Sequence, residues 1–374
     1  MNYYMQYLKT ANVNLVKDMG MIPYKLYENY GYNSTVVTFK NGEYPYLNKE
    51  VKGLNIEFVE NKFNSYTIDG GLYLLKNSKK IDFLQIFHVT LSSFVYAYIY
   101  KHIQKKGKLY LKLDSSHKLV ERIDGLNGFA KKILRCFFNK VDYISIEQDQ
   151  LYFDLLERLP YIKEKFFVLK NGVDFKALQA MKLDYNYDEK KNIILSVARI
   201  GTEEKNTMML MEAFAAIKDI EKTDWELHLV GPIEESFSKE IEDFFTRYKK
   251  LQGKVKFLGN IEDRYELYKK YREAKIFSLT SEFESFGIAF IEAAAFGDVI
   301  VSTDVGIVRE LIKNNNGSVV NIGDTEALTN KLTEYISKES LKEESLNTYK
   351  CCLENFNWDK IVKDFYEKIN IFNN

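Results

Sequence analysis

Short runs of β-branched and aromatic residues, each followed by an amphipathic stretch, recur along the whole chain, and this alternation restricts the fold to parallel sheet flanked by helices. In the first half the predicted strands are 34–39, 54–59, 83–87, 108–113, 141–146 and 166–169; in the second they are 193–197, 226–230, 255–258, 276–279 and 299–302. Between the two sets, Asn171-Gly-Val-Asp174 has turn chemistry and 183–192 is polar, so a linker is expected within about 172 to 191. A chain of 374 residues is long enough for two cores of ordinary domain size.

Lys plus Arg and Asp plus Glu both number 53, and that neutrality argues against a nucleic-acid partner. The balance conceals a split. Residues 1–180 carry 26 basic and 18 acidic side chains, leaving 27 and 35 for the rest. Two domains with different partners are expected. The three cysteines, Cys136, Cys351 and Cys352, are too few and too badly spaced for a disulfide framework or a zinc site, which points to a reducing cytoplasm. The first residues lack the order of a signal peptide. The stretch 83–100 has no formal charge, yet it contains Gln85, His88, Thr90, Ser92 and Ser93, so a buried strand running into a helix fits better than a membrane span.

The chemistry concentrates in Ser281-Glu-Phe-Glu-Ser-Phe-Gly-Ile-Ala-Phe-Ile-Glu-Ala-Ala-Ala-Phe-Gly297, behind the apolar run Ile276-Phe-Ser-Leu-Thr280. The break at Phe286-Gly287 leaves Glu284 on a loop. Ile288, Ile291 and Ala295 at helical spacing, closed by Gly297, place Glu292 on the next helix. Ligands of open α/β sheets bind beyond the carboxyl ends of the strands, and the unpaired N–H groups of Phe286, Gly287 and Ile288 at a helix start suit a phosphate. Two glutamates eight apart are often only solvated charges; their setting behind a strand and around a glycine favours a nucleotide-sugar pocket.

This segment resembles the Glu-x7-Glu motif of retaining glycosyltransferases with the two-domain GT-B fold, in the large nucleotide-sugar-dependent family labelled family 4. The resemblance implies an α/β chain with two Rossmann-like parallel-sheet domains facing a central cleft. Residues 1–175 would bind the acceptor and 190–356 the nucleotide sugar, with a helix at about 357–374, carrying the Trp of Phe356-Asn-Trp-Asp-Lys, crossing back onto the first domain.

A second match is Ile193-Ile-Leu-Ser-Val-Ala-Arg199-Ile-Gly201-Thr-Glu-Glu-Lys205-Asn, a strand that ends in a polar turn with two cations. Preorganised cations stabilise the charge on a departing nucleoside diphosphate more in the transition state than in the ground state. Arg199 can grip phosphate bidentately and Lys205 acts as a point charge, with Gly201 in the turn between them. The alternative for Arg199 is a surface ion pair with Glu203 or Glu204. By resemblance Glu284, Arg199 and Lys205 are catalytic. Glu292, Phe286, Gly287, Ile288, Gly201, Asn260 and Ile261 bind the donor, the last two through the loop after Val255-Lys-Phe-Leu-Gly259. Asp304-Val-Gly306 resembles a further turn of the family, whose usual second glycine and proline are Ile307 and Arg309 here. No Asp-x-Asp and no His/Cys cluster is present, so no metal and no cofactor is expected.

The amino-terminal half departs further from the family. Gly20, in Lys17-Asp-Met-Gly20-Met-Ile-Pro23, either lines the cleft or makes a simple turn before a helix expected at 22–30. His88 ends one predicted strand, and Lys108-Leu-Tyr-Leu-Lys-Leu-Asp114-Ser-Ser-His117 offers Asp114 and His117 after another; all three are cleft candidates or ordinary structural residues. In Phe129-Ala-Lys-Lys-Ile-Leu-Arg-Cys-Phe-Phe-Asn-Lys140 an apolar side faces a basic one. It is either a sheet-packing helix with a solvated back or, with the lysines upstream, a 101–140 surface for an anionic membrane.

The expected function is therefore transfer of a sugar from a nucleotide donor, a UDP-sugar, to a saccharide, lipid-linked or protein acceptor with retention, in the cytoplasm or at the inner face of the membrane, for cell-envelope or surface glycans. The rivals are a noncatalytic GT-B subunit and a nucleotide-sugar epimerase of the same fold.

Overall fold

The computed structural model describes residues 1–113, 117–313 and 315–371. It divides into two compact units, Met1–Gly172 with Trp358–Asn374, and Val173–Asn357. The first holds a seven-stranded sheet of β1 (Asn2–Gln6), β2 (Asn33–Thr38), β3 (Asn55–Phe58), β4 (Phe83–Phe87), β5 (Lys108–Leu113), β6 (Tyr143–Ile146) and β7 (Phe166–Val168). The second holds six strands, β8 (Ile193–Val197), β9 (Glu226–Val230), β10 (Val255–Phe257), β11 (Ile276–Phe277), β12 (Val299–Thr303) and β13 (Gly317–Val320).

Every pairing is parallel, in the orders β3-β2-β1-β4-β5-β6-β7 and β10-β9-β8-β11-β12-β13. Helices cover both faces of such a sheet, which is why the strands read as apolar runs rather than alternating ones. Leu84, Leu111, Ile194, Ile300 and Val301 are fully buried. In each sheet the chain starts in the middle and reverses direction of travel once, between β1 and β4 and between β8 and β11. Those reversals are the crevices where such sheets bind ligands.

Two strands escape the sequence pattern. β1 is central in its sheet, yet its apolar signal is only Tyr3, Tyr4 and Met5 between amides; Gln6 is buried because its side chain donates to the carbonyl of Gly70 at 3.2 Å, a contact the fold supplies. Among the described residues β13 pairs with β12 alone, and it is half-buried for most of its length. The first helix also begins earlier than expected, at Asp18, and carries Pro23 inside it.

The chain passes from the first unit to the second between Gly172 and Val173, and the residues that follow belong to the second unit. Phe175 and Leu178, on the helix Phe175–Ala180, and Leu183 are buried in the core of the second unit beside Phe277 and Ile300. The terminal helix Trp358–Ile371 packs on the first unit, where Trp358 and Phe365 join Tyr3, Phe83 and Tyr110. Tyr366 stacks on Tyr30 with ring centres 3.8 Å apart.

Candidate functional site

The polar constellation of the second unit sits at its reversal point. β8 leads into the turn 198–206, and β11 leads into the loop 278–287. Local hydrogen bonds lace the two together: Thr280 Oγ1 donates to the carbonyls of Lys205 and Asn206 at 3.2 and 2.9 Å, and the Glu282 N–H donates to the Glu204 carbonyl at 2.8 Å. From β12, Thr303 Oγ1 donates to the Ser281 carbonyl at 2.7 Å. Three adjacent strands thus hold one short loop.

That lacing aims Lys205 at Glu284. The Nζ lies 2.6 Å from Oε1, and the side chains are only 15% and 14% exposed. Ser281 Oγ donates to the same oxygen at 2.8 Å. A partly desolvated pair of this kind is stronger than a surface ion pair, and its geometry is set before any ligand arrives.

Glu284 is followed by a backbone reversal that only glycine adopts without strain. Gly287 has φ of 85° and precedes the helix Ile288–Ala295; a Cβ there would lie 2.6 Å from the Phe290 ring. Gly306, with φ of 57°, passes so close that a Cβ would lie 2.4 Å from the Phe286 carbonyl. That carbonyl accepts from the Ile307 N–H at 3.0 Å, so Ile307, departing from the family's glycine, keeps a backbone role. Among the described residues the N–H groups of Phe286, Gly287 and Ile288 meet no acceptor. They form a helix start with anion-binding capacity.

Glu292 lies on that helix and is 13% exposed. Each of its oxygens has one anchor: Arg264 Nη2 at 3.3 Å from Oε1, and the Tyr271 hydroxyl donating to Oε2 at 3.2 Å. The Arg264 guanidinium rests over the Tyr268 ring at 4.7 Å. Burial and the neighbouring Glu292 carboxylate push the Tyr271 hydroxyl far above its ordinary pKa, so it remains a donor. Sequence reasoning missed Arg264, Tyr271 and Ser281, because an arginine opening a helix and a tyrosine two turns later read as surface charge and core.

The remaining sequence candidates divide. Gly201 donates its N–H to Thr207 Oγ1 at 3.2 Å, tying the cationic turn to the following helix. Asn260 is exposed and Ile261 half-buried, on the loop after β10. Arg199 does not join Lys205; it is 56% exposed and paired with Glu204, the surface-pair alternative, because the turn points it outward.

In the first unit Gly20 lies inside the helix Asp18–Tyr30 rather than in a preceding turn, with a Cβ position 2.1 Å from the Leu15 carbonyl oxygen. It is a close-packing glycine. His88 follows β4 with φ of 59°, unusual for a residue with a side chain, and its ring meets Tyr7 edge-on at 5.6 Å. Asp114 and the side chain of His117 lie outside the described residues. No helix among the described residues is long and apolar enough to cross a membrane.

Residues 179–350 match the family model "Glycosyl transferases group 1". The chain is 28% identical over 228 residues to a probable sucrose-phosphate synthase of Thermosipho melanesiensis, covering 60% of this chain and 51% of that protein. To the N-acetyl-alpha-D-glucosaminyl L-malate synthase of Bacillus anthracis it is 26% identical over 207 residues, covering 54% and 52%. It spans about half the length of the curated relatives it matches. The crystal structure of Anabaena HepE in complex with UDP superposes with a TM-score of 0.73 at 17% identity, covering 99% of this chain and all of that one. The fold is GT-B.

Proposed function

We propose that this GT-B chain is a family 4 type glycosyltransferase, moving a hexosyl group from a UDP-sugar to a saccharide, lipid-linked or protein acceptor with retention of anomeric configuration and without a metal, in the synthesis of envelope or surface glycans. The observation that carries the reading is the desolvated Lys205–Glu284 pair at the sheet reversal, beside the three free N–H groups of Phe286, Gly287 and Ile288. In this reading the diphosphate lies on those N–H groups and on Lys205. Glu292, held by Arg264 and Tyr271, accepts from the ribose hydroxyls, and Glu284 accepts from a hydroxyl of the transferred sugar.

As the glycosidic bond breaks, negative charge grows on the leaving phosphate, and Lys205 with the helix start stabilises it where it forms. The acceptor hydroxyl attacks from the same face, and a phosphate oxygen takes its proton, so no separate base is required. Arg199 joins by exchanging Glu204 for phosphate, a swap that a half-exposed pair allows at little cost. HepE, one of the structural neighbours, was crystallised with UDP, which supports the choice of uridine.

The test is a thermal-shift screen with UDP-, GDP- and ADP-sugars followed by product analysis, since a bound donor raises the melting temperature by mass action. A rise with UDP-sugars and formation of a glycosylated acceptor support transfer. Release of a free, isomerised nucleotide sugar points instead to an epimerase, and no rise with any donor points to a noncatalytic subunit.

A further inference from the structure

Two exposed aromatic side chains stand at one end of the first unit's sheet with an ammonium group over each ring. Tyr66 is 45% exposed and Lys9 Nζ lies 4.8 Å from its ring centre; Phe63 is 53% exposed and Lys62 Nζ lies 5.7 Å from its ring centre. Lys9 lies just past β1, whereas Lys62 and Phe63 are on the loop after β3 and Tyr66 opens the helix Tyr66–Asn77. The Lys9–Tyr66 contact therefore brings that loop to the carboxyl end of β1, beside the reversal between β1 and β4, where open α/β sheets bind ligands. Tyr7 and His88, just past the ends of those two strands, meet edge-on at the same reversal.

The backbone beneath these side chains is fixed. Asp69, 3% exposed, accepts from the N–H groups of Phe63 and Ser65, each at 3.1 Å, and the Tyr96 hydroxyl donates to the Tyr66 carbonyl. Asn41 Nδ2 donates to the carbonyls of Leu8 and Thr10 at 2.9 and 3.0 Å, which holds the turn that carries Lys9. Buried Phe39 backs Tyr66 with ring centres 5.6 Å apart. Two rings are thus held out to solvent on a preformed base, which lowers the ordering cost for a ligand that stacks on them.

Lys9 and Lys62 are exposed, and among the described residues neither pairs with a carboxylate, the exposed Glu60 of the same loop included. An exposed cation–π contact is weak, and an ammonium group gives it up for a charge-assisted bond to an anion. The exchange uncovers the ring faces. Those faces carry negative charge density and suit the weakly positive C–H face of a sugar ring. One small molecule with both an anionic group and a C–H face matches the two cations and the two rings together. A neutral sugar leaves the ammonium groups in place, and a bare anion leaves the rings empty.

We propose that Lys9, Lys62, Phe63 and Tyr66 form a binding site for an anionic sugar, a pyranose that carries a phosphate or carboxylate group. Its place as the acceptor rests on the transfer reading; its binding does not, since no donor takes part.

The test is calorimetric titration of the full chain, without nucleotide, with glucose 6-phosphate, glucuronate, glucose and inorganic phosphate, together with saturation-transfer NMR of the bound sugar. At least one of the two acidic sugars should bind about fivefold or more tightly than both glucose and inorganic phosphate, and which one does so identifies the anionic group. Lys9→Gln/Lys62→Gln should abolish that preference over glucose, and Lys9→Arg/Lys62→Arg should keep it. Tyr66→Leu and Phe63→Leu keep apolar bulk and lose the aromatic face, so each should weaken the acidic sugar about threefold or more and reduce saturation of its C–H protons. Each variant changes an exposed side chain, so all should melt with the wild type.

Absence of binding by both acidic sugars, equal affinity for glucose or inorganic phosphate, or acidic-sugar binding that the lysine and ring variants leave unchanged would overturn the site. The two readings fail separately. Binding of an acidic sugar with no thermal shift from any nucleotide sugar would refute the transfer reading alone, whereas a UDP-sugar shift with no binding of either acidic sugar would refute this site alone.

Discussion

At the scale of single residues, the two glutamates are distinguished by their partners. Glu284 is gripped by Lys205 and Ser281 at the loop, whereas Glu292 is gripped by Arg264 and Tyr271 on the helix. Lys205→Ala should lower kcat by about a hundredfold or more, the loss typical of removing one preorganised donor to developing charge. Glu292→Gln should instead weaken UDP binding about tenfold, as expected for lost hydrogen bonds to a charged group, with kcat nearly kept. Steady-state kinetics and UDP titration separate the two; equal loss in both parameters for both variants would refute the division of roles.

A different pair lies at the opposite end of the same sheet. Lys190 Nζ and Asp298 Oδ1 are 2.6 Å apart with both side chains fully buried, and among the described residues Asp298 Oδ2 has no partner. Burial pushes the Asp298 carboxyl up to about 7 against the pull of Lys190. The folded state then binds this proton more tightly than the unfolded state, so the associated stability is complete below about pH 4 and is lost as the pH rises to about 7. Lys190→Met removes the cation and raises the carboxyl further. Its stability should fall by up to about 1.4 kcal/mol per pH unit between pH 6 and 8 relative to Lys190→Met/Asp298→Asn. Parallel denaturation curves for the two variants across that range would contradict this.

At the scale of elements, the site is made by strand ends and the turns that follow them. Gly287 and Gly306 allow the loop after β11 and the turn after β12 to meet at Phe286. Gly306→Ala meets backbone at 2.4 Å as well as a left-handed φ, so it should destabilise the fold by about 2 kcal/mol or more and displace the Phe286 carbonyl. Gly287→Ala meets the ring of the fully buried Phe290 at 2.6 Å and also sits at a left-handed φ of 85°, so it should destabilise the fold as well and, by disturbing the helix start, lower donor affinity. Melting and UDP titration of both variants check this. The acidic loop and helix were legible in the residues themselves, because the Phe286-Gly287 break and the periodicity of Ile288, Ile291 and Ala295 are local signals. Arg264 was not, since nothing near it in sequence says that its helix lies beside Glu292. The outward side of Arg199 was legible only as one of two alternatives, a surface pair with Glu203 or Glu204, and the fold takes that alternative with Glu204.

At the scale of the whole molecule, the last helix completes the first unit rather than the second. Trp358 is 1% exposed among the aromatic residues of that core, and the Tyr143 hydroxyl donates to the Ile369 carbonyl at 3.1 Å. Trp358→Ala should cost about 3–5 kcal/mol, the range for emptying an aromatic core site, and deletion from residue 358 onward should leave the first unit unable to fold. Native-state proteolysis should then cut 1–172 while sparing 173–357. For the reaction, turnover should persist in EDTA, and proton NMR should show an α-linked product from an α-linked donor; a β-linked product would return the role of base to a histidine or Asp114. The α/β class and the acidic and cationic motifs can be read from the residues alone, because strand and helix periods and glycine breaks are set by near neighbours. That β1 is central, that Phe175, Leu178 and Leu183 belong to a core, and which cation meets Glu284 and which Glu292 were settled by the tertiary structure. Those outcomes depend on pairings between strands and side chains up to hundreds of residues apart, which no local pattern encodes.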